Sequence, residues 1–261
     1  MADSATALPQ PIAPDWPAPA GVRALCTVRA GGVSAPPFDS LNLGDHVRDD
    51  PAAVAANRGR LTALTAPARP VFLRQVHGTG VVVLDADTPD GTEADAAVVH
   101  APGVAATIMV ADCLPVLFAH TSGHAVAAAH AGWRGLHGGV LESTLKALRE
   151  VAGPGEVIAW LGPAIGPKAF EVGEEVWEAF VTADRAAVDH FRPHATRGKW
   201  WADLPGLARQ RLTAAGLRSV HGNDGSAAWC TVSDASRFFS HRRDAARLGS
   251  TGRFAACVWL G

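Results

Sequence analysis

Seven short apolar runs, each bounded by turn-forming residues, constrain this chain more than any other feature; they fall at 80–84, 94–99, 105–110, 115–119, 124–130, 156–161 and 254–260. Runs of five to seven residues rich in Val, Ile and Ala are strand length and too short for core helices. Most are apolar at consecutive positions, and a strand with two apolar faces needs cover on both, from helices or from a second sheet. Helical spacing between the runs supplies that cover. Residues 51–64 carry Val54, Leu61 and Leu64 behind an Asp49-Asp50-Pro51 start, and 140–151 align Leu141, Leu145 and Leu148 before Gly153-Pro154. Residues 203–215 open on an N-cap Asp and close at Gly216, and a shorter helix is predicted over 174–180 from Val172, Val176 and Phe180.

At 261 residues the chain suits one large domain or two small ones, and it has no internal repeat or low-complexity linker. The expectation is one domain over 21–261 behind a flexible N-terminal arm, 1–20, with the polar stretch 183–198 as a surface excursion. A composition 48% hydrophobic and 18% charged argues against disorder, and a formal net charge of −2 lacks the footprint of a nucleic-acid or membrane-surface binder. The most apolar stretch, 103–119, is interrupted by Asp112 and Pro115, short of the ~18 to 20 residues of a membrane span. Residues 1–19 lack the charged and apolar regions of a signal peptide. Four widely spaced cysteines without a CxxC pair do not suggest a disulfide scaffold, and a reduced cytoplasm is the expected location.

Unusual residues concentrate between His77 and Arg134. His77 precedes a strand in Arg74-Gln75-Val76-His77-Gly78, Cys113 lies between two strands in Ala111-Asp112-Cys113-Leu114-Pro115, and His130 ends a strand before Ala131-Gly132-Trp133-Arg134-Gly135. Strand ends are where rigid elements hand over to loops. Two imidazoles and one thiolate suit Zn²⁺, and three ligands leave a tetrahedral position for water or substrate. Two other readings stand beside this one: Cys113 as a small buried hydrophobe with satisfied histidines, and Cys113 as a nucleophile with His130 as its base. The glycine-rich turn 132–139, opening a helix, is an anion-binding candidate, as are guanidinium groups at Arg29, Arg58, Arg242 and Arg243. His120 and His124 are expected to face solvent, and His190, His194 and His221 to lie in polar loops.

Taken in order, Arg-Gln-Val-His-Gly at 74–78, Ala-Asp-Cys-Leu-Pro at 111–115, Ala-His-Ala-Gly-Trp-Arg-Gly at 129–135, Leu-Gly-Pro-Ala-Ile-Gly-Pro at 161–167 and Phe-Phe-Ser-His-Arg-Arg-Asp at 238–244 closely resemble the YfiH-like, or laccase-domain, family. The resemblance runs from Arg29 and Leu41-Asn42-Leu43-Gly44 to Thr251-Gly252-Arg253. It implies a mixed α/β fold with a β-sandwich-like core wrapped by helices, related to deamidating bacterial toxins that use a Cys and a His. It also implies zinc ligands at His77, Cys113 and His130, and a purine nucleoside phosphorylase acting with phosphate on adenosine, inosine and methylthioadenosine, with adenosine deaminase activity. Gln75, Asp112 and Arg134 flank the ligands as substrate or supporting groups, and Arg29, Asn42, Arg58 and Arg243 are phosphate or ribose candidates. Phe170 stands where the family often has Tyr, and Lys168 where it often has Cys. A cysteine hydrolase or amidase using Cys113 and His130 is the alternative reaction class.

The family's older name, multicopper polyphenol oxidase, meets a chemical objection. Multicopper sites need paired His-x-His motifs, and the sequence has none. A single His₂Cys site would still take Cu²⁺ opportunistically, which reduces oxidase activity to a side reaction.

Overall fold

Alternation along the strands sorts the apolar residues onto two faces, and both faces are used. In the computed structural model, which describes residues 10–261, β1 (Val22–Cys26), β13 (Phe254–Leu260), β5 (Val104–Val110) and β2 (Arg69–Phe72) form a four-stranded sheet in that order. A six-stranded sheet runs β12 (Ser219–Gly222), β8 (Val157–Leu161), β6 (Leu114–His120), β7 (Val126–Ala131), β4 (Ala96–Val99), β3 (Val81–Leu84). Both sheets are mixed: β2 with β5, β3 with β4 and β12 with β8 pair parallel, and the remaining pairs are antiparallel.

Between the sheets lie Ala106, Ile108 and Val110 of β5 and Phe254, Ala256 and Val258 of β13, packed on Val99, Leu117, Ala128 and Trp160 of the larger sheet. The alternate residues Ala105, Met109, Cys257 and Trp259 turn outward, onto Leu61 and Leu64 of α1 (Pro51–Thr65). The far face of the six-stranded sheet, with Val98, Val116, Phe118 and Ala127, is covered by Leu141, Leu145 and Leu148 of α3 (Val140–Ala152), Val176 and Phe180 of α4 (Glu174–Ala183) and Leu207 and Leu212 of α5 (Leu204–Ala214). The layers therefore run helix, sheet, sheet, helix. This is the helix-wrapped sandwich of the expectation, and it explains why the strands are apolar on both sides. The start signals act as read: Asp50 caps α1 by accepting from Ala52 N, and Asp203 caps α5 by accepting from Gly206 N.

Several expectations need correction. β1, β2 and β12 were not among the apolar runs, nor was a small sheet of β10 (Phe191–Pro193), β11 (Lys199–Ala202) and β9 (Glu171–Gly173). These strands carry charged or polar residues such as Arg69, Lys199 and His221, and cross-strand pairing rather than pattern makes them extended. The stretch 183–198 is no free excursion, because it contains the 3-10 helix Arg185–His190 and β10, anchored by buried Ala187 and Phe191. His221 sits in β12 rather than in a loop. His120 is buried rather than solvent-facing, because β6 extends to include it; its Nδ1 meets Ser122 Oγ at 2.7 Å. Of the arm expected at 1–20, residues 1–9 lie outside the described residues, and the remainder is attached. Ile12 exchanges two backbone hydrogen bonds with Cys26, and Trp16 packs on the inter-sheet core. No helix among the described residues is long and apolar enough to cross a membrane.

Connectivity then selects one end of the sandwich. β2 and β5 run parallel in the four-stranded sheet, and after each the chain crosses to the other sheet, through 73–80 and 111–113. Both crossings therefore fall at the same mouth. His130 pairs with Pro115 at the start of β6, and Phe254 pairs with Val110, so the end of β7 and the segment before β13 arrive there too.

Candidate active site

Two crossing turns carry site residues through backbone conformations that L-residues rarely adopt: His77 has φ 61° and Asp112 φ 88°. Such positions cost about 1–3 kcal/mol each and persist where surrounding contacts determine them. Two buried carboxylates supply those contacts. Asp95, just before β4, accepts His77 N (2.9 Å) and His130 Nδ1 (2.9 Å) on Oδ1, and Gly78 N (2.6 Å) and Val76 N (3.2 Å) on Oδ2. Burial opposes its ionisation, but the His130 and Gly78 hydrogen bonds outweigh burial and hold the carboxyl below the usual range. Asp112 accepts Thr231 Oγ1 (2.5 Å) on Oδ1 and Arg242 N (2.6 Å) on Oδ2, while its carbonyl accepts Ile165 N.

The turns so held bring His77, Cys113 and His130 together, with one donor atom from each within 4.8 Å of the others. Cys113 Sγ lies 3.7 Å from His77 Nε2, and the two imidazole rings meet edge to face at 4.7 Å. Metal–ligand distances of ~2.0 to 2.3 Å set tetrahedral donors roughly 3.3 to 3.8 Å apart, a range that includes the 3.7 Å between Cys113 Sγ and His77 Nε2. His130 has given Nδ1 to Asp95, which leaves Nε2 for coordination. Gly132 makes the approach possible, because a Cβ there would stand 2.9 Å from His77 Cδ2 and 3.0 Å from Cys113 Sγ. Burial resists ionisation of the Cys113 thiol, but His130 and His77 beside it outweigh burial and lower it. Burial likewise opposes charge on His130, and the Cys113 thiolate and Asp95 reverse that effect and raise it. A poised thiolate is the form a divalent ion takes.

This group lines a cleft of about 680 Å³, within the range of small-molecule sites. The same cleft is lined by apolar Phe72, Met109, Trp133, Ile165 and Phe170 and by the cationic side chains of Arg58, Arg242 and Arg253. Arg58 is committed elsewhere: it stacks on Phe72 and pairs with Asp45 at 3.0 Å. Arg242 donates to the carbonyls of Ala169 and Glu171 from α6 (His241–Leu248), and Arg253 to those of Thr251 and Gly252. Among the described residues neither has a carboxylate within 4.0 Å. Burial lowers Arg253, with Cys113 and Asp112 pulling the other way.

Six of the ten expected residues therefore line one cleft: His77, Cys113, His130, Gln75, Asp112 and Arg58. Gln75 acts as a splice, exchanging two 2.8 Å hydrogen bonds with the backbone of Met109 in β5. The other four lie elsewhere. Arg29 binds Asp39 and the Ala235 carbonyl, Arg243 binds Asp244 and the Thr231 and Phe238 carbonyls, and both belong to a separate groove. Asn42 is buried and accepts from Gly44 N and Arg253 N, so it positions a cleft residue without reaching the cleft. Arg134 is exposed and lies over its neighbour Trp133; the turn 132–139 presents a six-residue helix, α2 (Trp133–Gly138), with only its first residues in the cleft. Sequence reasoning missed Asp95, Arg253, His46 and His241. A lone carboxylate inside the apolar run 94–99 was the available signal for Asp95.

A His₂Cys group able to hold a metal ion, in a cleft with apolar residues and two guanidinium groups, fits an enzyme acting on small molecules. The profile of the family described as multi-copper polyphenol oxidoreductase laccase matches residues 23–261, and the chain belongs to that family. Over 250 residues it is 56% identical to a purine nucleoside phosphorylase of Pseudomonas aeruginosa, covering 95% of this chain and 98% of that one. It is 48% identical, with the same coverage, to the purine nucleoside phosphorylase YfiH of Escherichia coli. The crystal structure of a Neisseria meningitidis protein superposes with a TM-score of 0.87 at 45% identity, covering 96% of this chain and 98% of that one. That of YlmD from Geobacillus stearothermophilus gives 0.83 at 30% identity, covering 97% and 98%.

Proposed function

We propose that the chain is a zinc-dependent purine nucleoside phosphorylase that converts adenosine, inosine or methylthioadenosine and phosphate to the free base and the pentose 1-phosphate. The observation that carries this reading is the juxtaposition of the donor group with Arg242 and Arg253, two guanidinium groups without a carboxylate partner among the described residues, in one cleft with apolar lining. The names of the P. aeruginosa and E. coli relatives support the same reaction.

In the reaction the C1′–N9 bond breaks, a phosphate oxygen bonds to C1′, and the departing purine takes a proton. Phe72, Ile165 and Phe170 offer the flat base an apolar slot. Arg253 and Arg242 hold the phosphate dianion against the sugar, which converts a two-body encounter into a positioned one and sets an anion beside the developing oxocarbenium charge. Of the two cleft imidazoles outside the donor group, burial and the nearby Arg253 disfavour the charged form of His46, and His241 is the proton donor to the base. His77, Cys113 and His130 would hold zinc, which would supply Lewis acidity to the reactants, and a water acidified there would be the nucleophile for any deamination at C6 of adenosine. A single His₂Cys group among the described residues supports zinc over a multicopper centre, which needs several such groups. Copper in its place would give polyphenol oxidation as a side reaction. The enzyme is read as cytoplasmic, with small molecules as its partners.

A second reading has a specific observation behind it. Asp95, His130 and Cys113 form a carboxylate–imidazole–thiol chain, the arrangement of a cysteine hydrolase or amidase. Release of adenine from adenosine, with and without phosphate, separates the two. Phosphorolysis predicts release that depends on phosphate, and Arg253→Ala is expected to raise the KM for phosphate about 10- to 100-fold, as loss of a hydrogen bond to a charged group should, with little change in the KM for adenosine. Release independent of phosphate, or turnover that survives metal removal and stops on thiol alkylation, contradicts it.

A further inference from the structure

Asp95 does not itself line the cleft, yet its carboxylate accepts four hydrogen bonds from the residues that hold the donor group. Its two oxygens each accept two N–H groups: His77 N and His130 Nδ1 on one, Gly78 N and Val76 N on the other. Three of these donors are consecutive amides of the turn in which His77 adopts φ 61°, and the fourth is the ring of His130. We propose that Asp95 is a positioning residue that fixes both imidazole donors at once, His77 through its turn and His130 through its ring, and so sets the strength of the site for a divalent ion. The inference rests on the metal-dependent reading of the same cleft.

The donor pattern explains why a carboxylate is required. An asparagine has one accepting oxygen, so its NH₂ must face a pair of N–H groups whichever way it is turned. Turned toward Val76 and Gly78 it opposes the amides on either side of His77, and the turn loses two of its three hydrogen bonds to this side chain. Turned toward His130 it opposes the Nδ1 proton, and the ring escapes by moving that proton to Nε2, the nitrogen needed for coordination. Both outcomes weaken the donor group from a position fully buried beneath it.

The test compares zinc affinity of the parent chain and Asp95→Asn by competition with a chromophoric chelator, in the absence of nucleoside. The expected result is a loss of about 10- to 100-fold in the variant. Equal affinity in the two proteins overturns the proposal; absence of zinc binding by the parent overturns the metal reading instead. Amide hydrogen exchange of the metal-stripped parent tests the joint without a variant. Residues 76 and 77 are exposed, yet their amides and that of Gly78 should exchange roughly 10- to 100-fold more slowly than in an unstructured chain. Unprotected amides at all three positions overturn the proposal, whether or not Asp95→Asn folds.

Discussion

Cys113→Ala is expected to yield a folded protein without bound metal, with phosphate-dependent adenine release reduced at least ~1000-fold, since several kcal/mol of transition-state stabilisation go with the ion. The fold should tolerate the change. Cys113 is half-buried at the end of a crossing turn, and that turn is held by Asp112 through hydrogen bonds with Thr231, Arg242 and Ile165 that do not involve the sulfur. The thiolate is the one soft donor among three, and its removal leaves two imidazoles, too few to retain zinc against a chelator. Elemental analysis and adenine release on the same preparation check the outcome. A metal-replete, active Cys113→Ala protein would remove the sulfur from the account.

Gly132→Ala is expected to separate site from fold. Gly132 has φ −66° and ψ 160°, which any residue adopts, so alanine introduces no backbone strain. Its methyl group would instead enter the gap between His77 Cδ2 and Cys113 Sγ, closer to each than ordinary packing allows. Those side chains must part by several tenths of an ångström. Zinc affinity should fall about 10- to 100-fold, the scale on which small displacements of a reactive group act, while the melting temperature of the metal-stripped protein stays within a few degrees of the parent. A chelator titration with thermal melts decides it, and unchanged affinity would show that the donor group tolerates the added carbon.

Much of this molecule was legible before its coordinates. The strands of the sandwich announce themselves because burial on both faces forces runs such as 105–110 and 254–260 to be apolar at every position. The helices behind α1, α3 and α5 follow from caps and spacing. The donor group was legible through motif resemblance, not through spacing, since His77, Cys113 and His130 are far apart in the chain and the shared mouth brings them together. The cations were harder. Arg29 and Arg243 sit in motifs as prominent as those of Arg242 and Arg253, but a guanidinium that satisfies backbone carbonyls is indistinguishable in sequence from one that faces a cleft. The lone carboxylate in the run 94–99 marked Asp95 as unusual, but its role was illegible for a related reason: its partners are three backbone amides and a ring nitrogen, and amides leave no mark in a sequence. His120 shows the converse error, since a histidine beside a Thr-Ser-Gly turn reads as exposed until strand β6 is seen to include it.

The most direct measurement returns zinc stepwise to chelator-stripped protein and follows adenine release from adenosine in the presence of phosphate. Activity should rise from a negligible base in proportion to added zinc and level off at about one equivalent, the stoichiometry of a single three-donor group with one position open. Full turnover in protein shown to be metal-free would contradict the account.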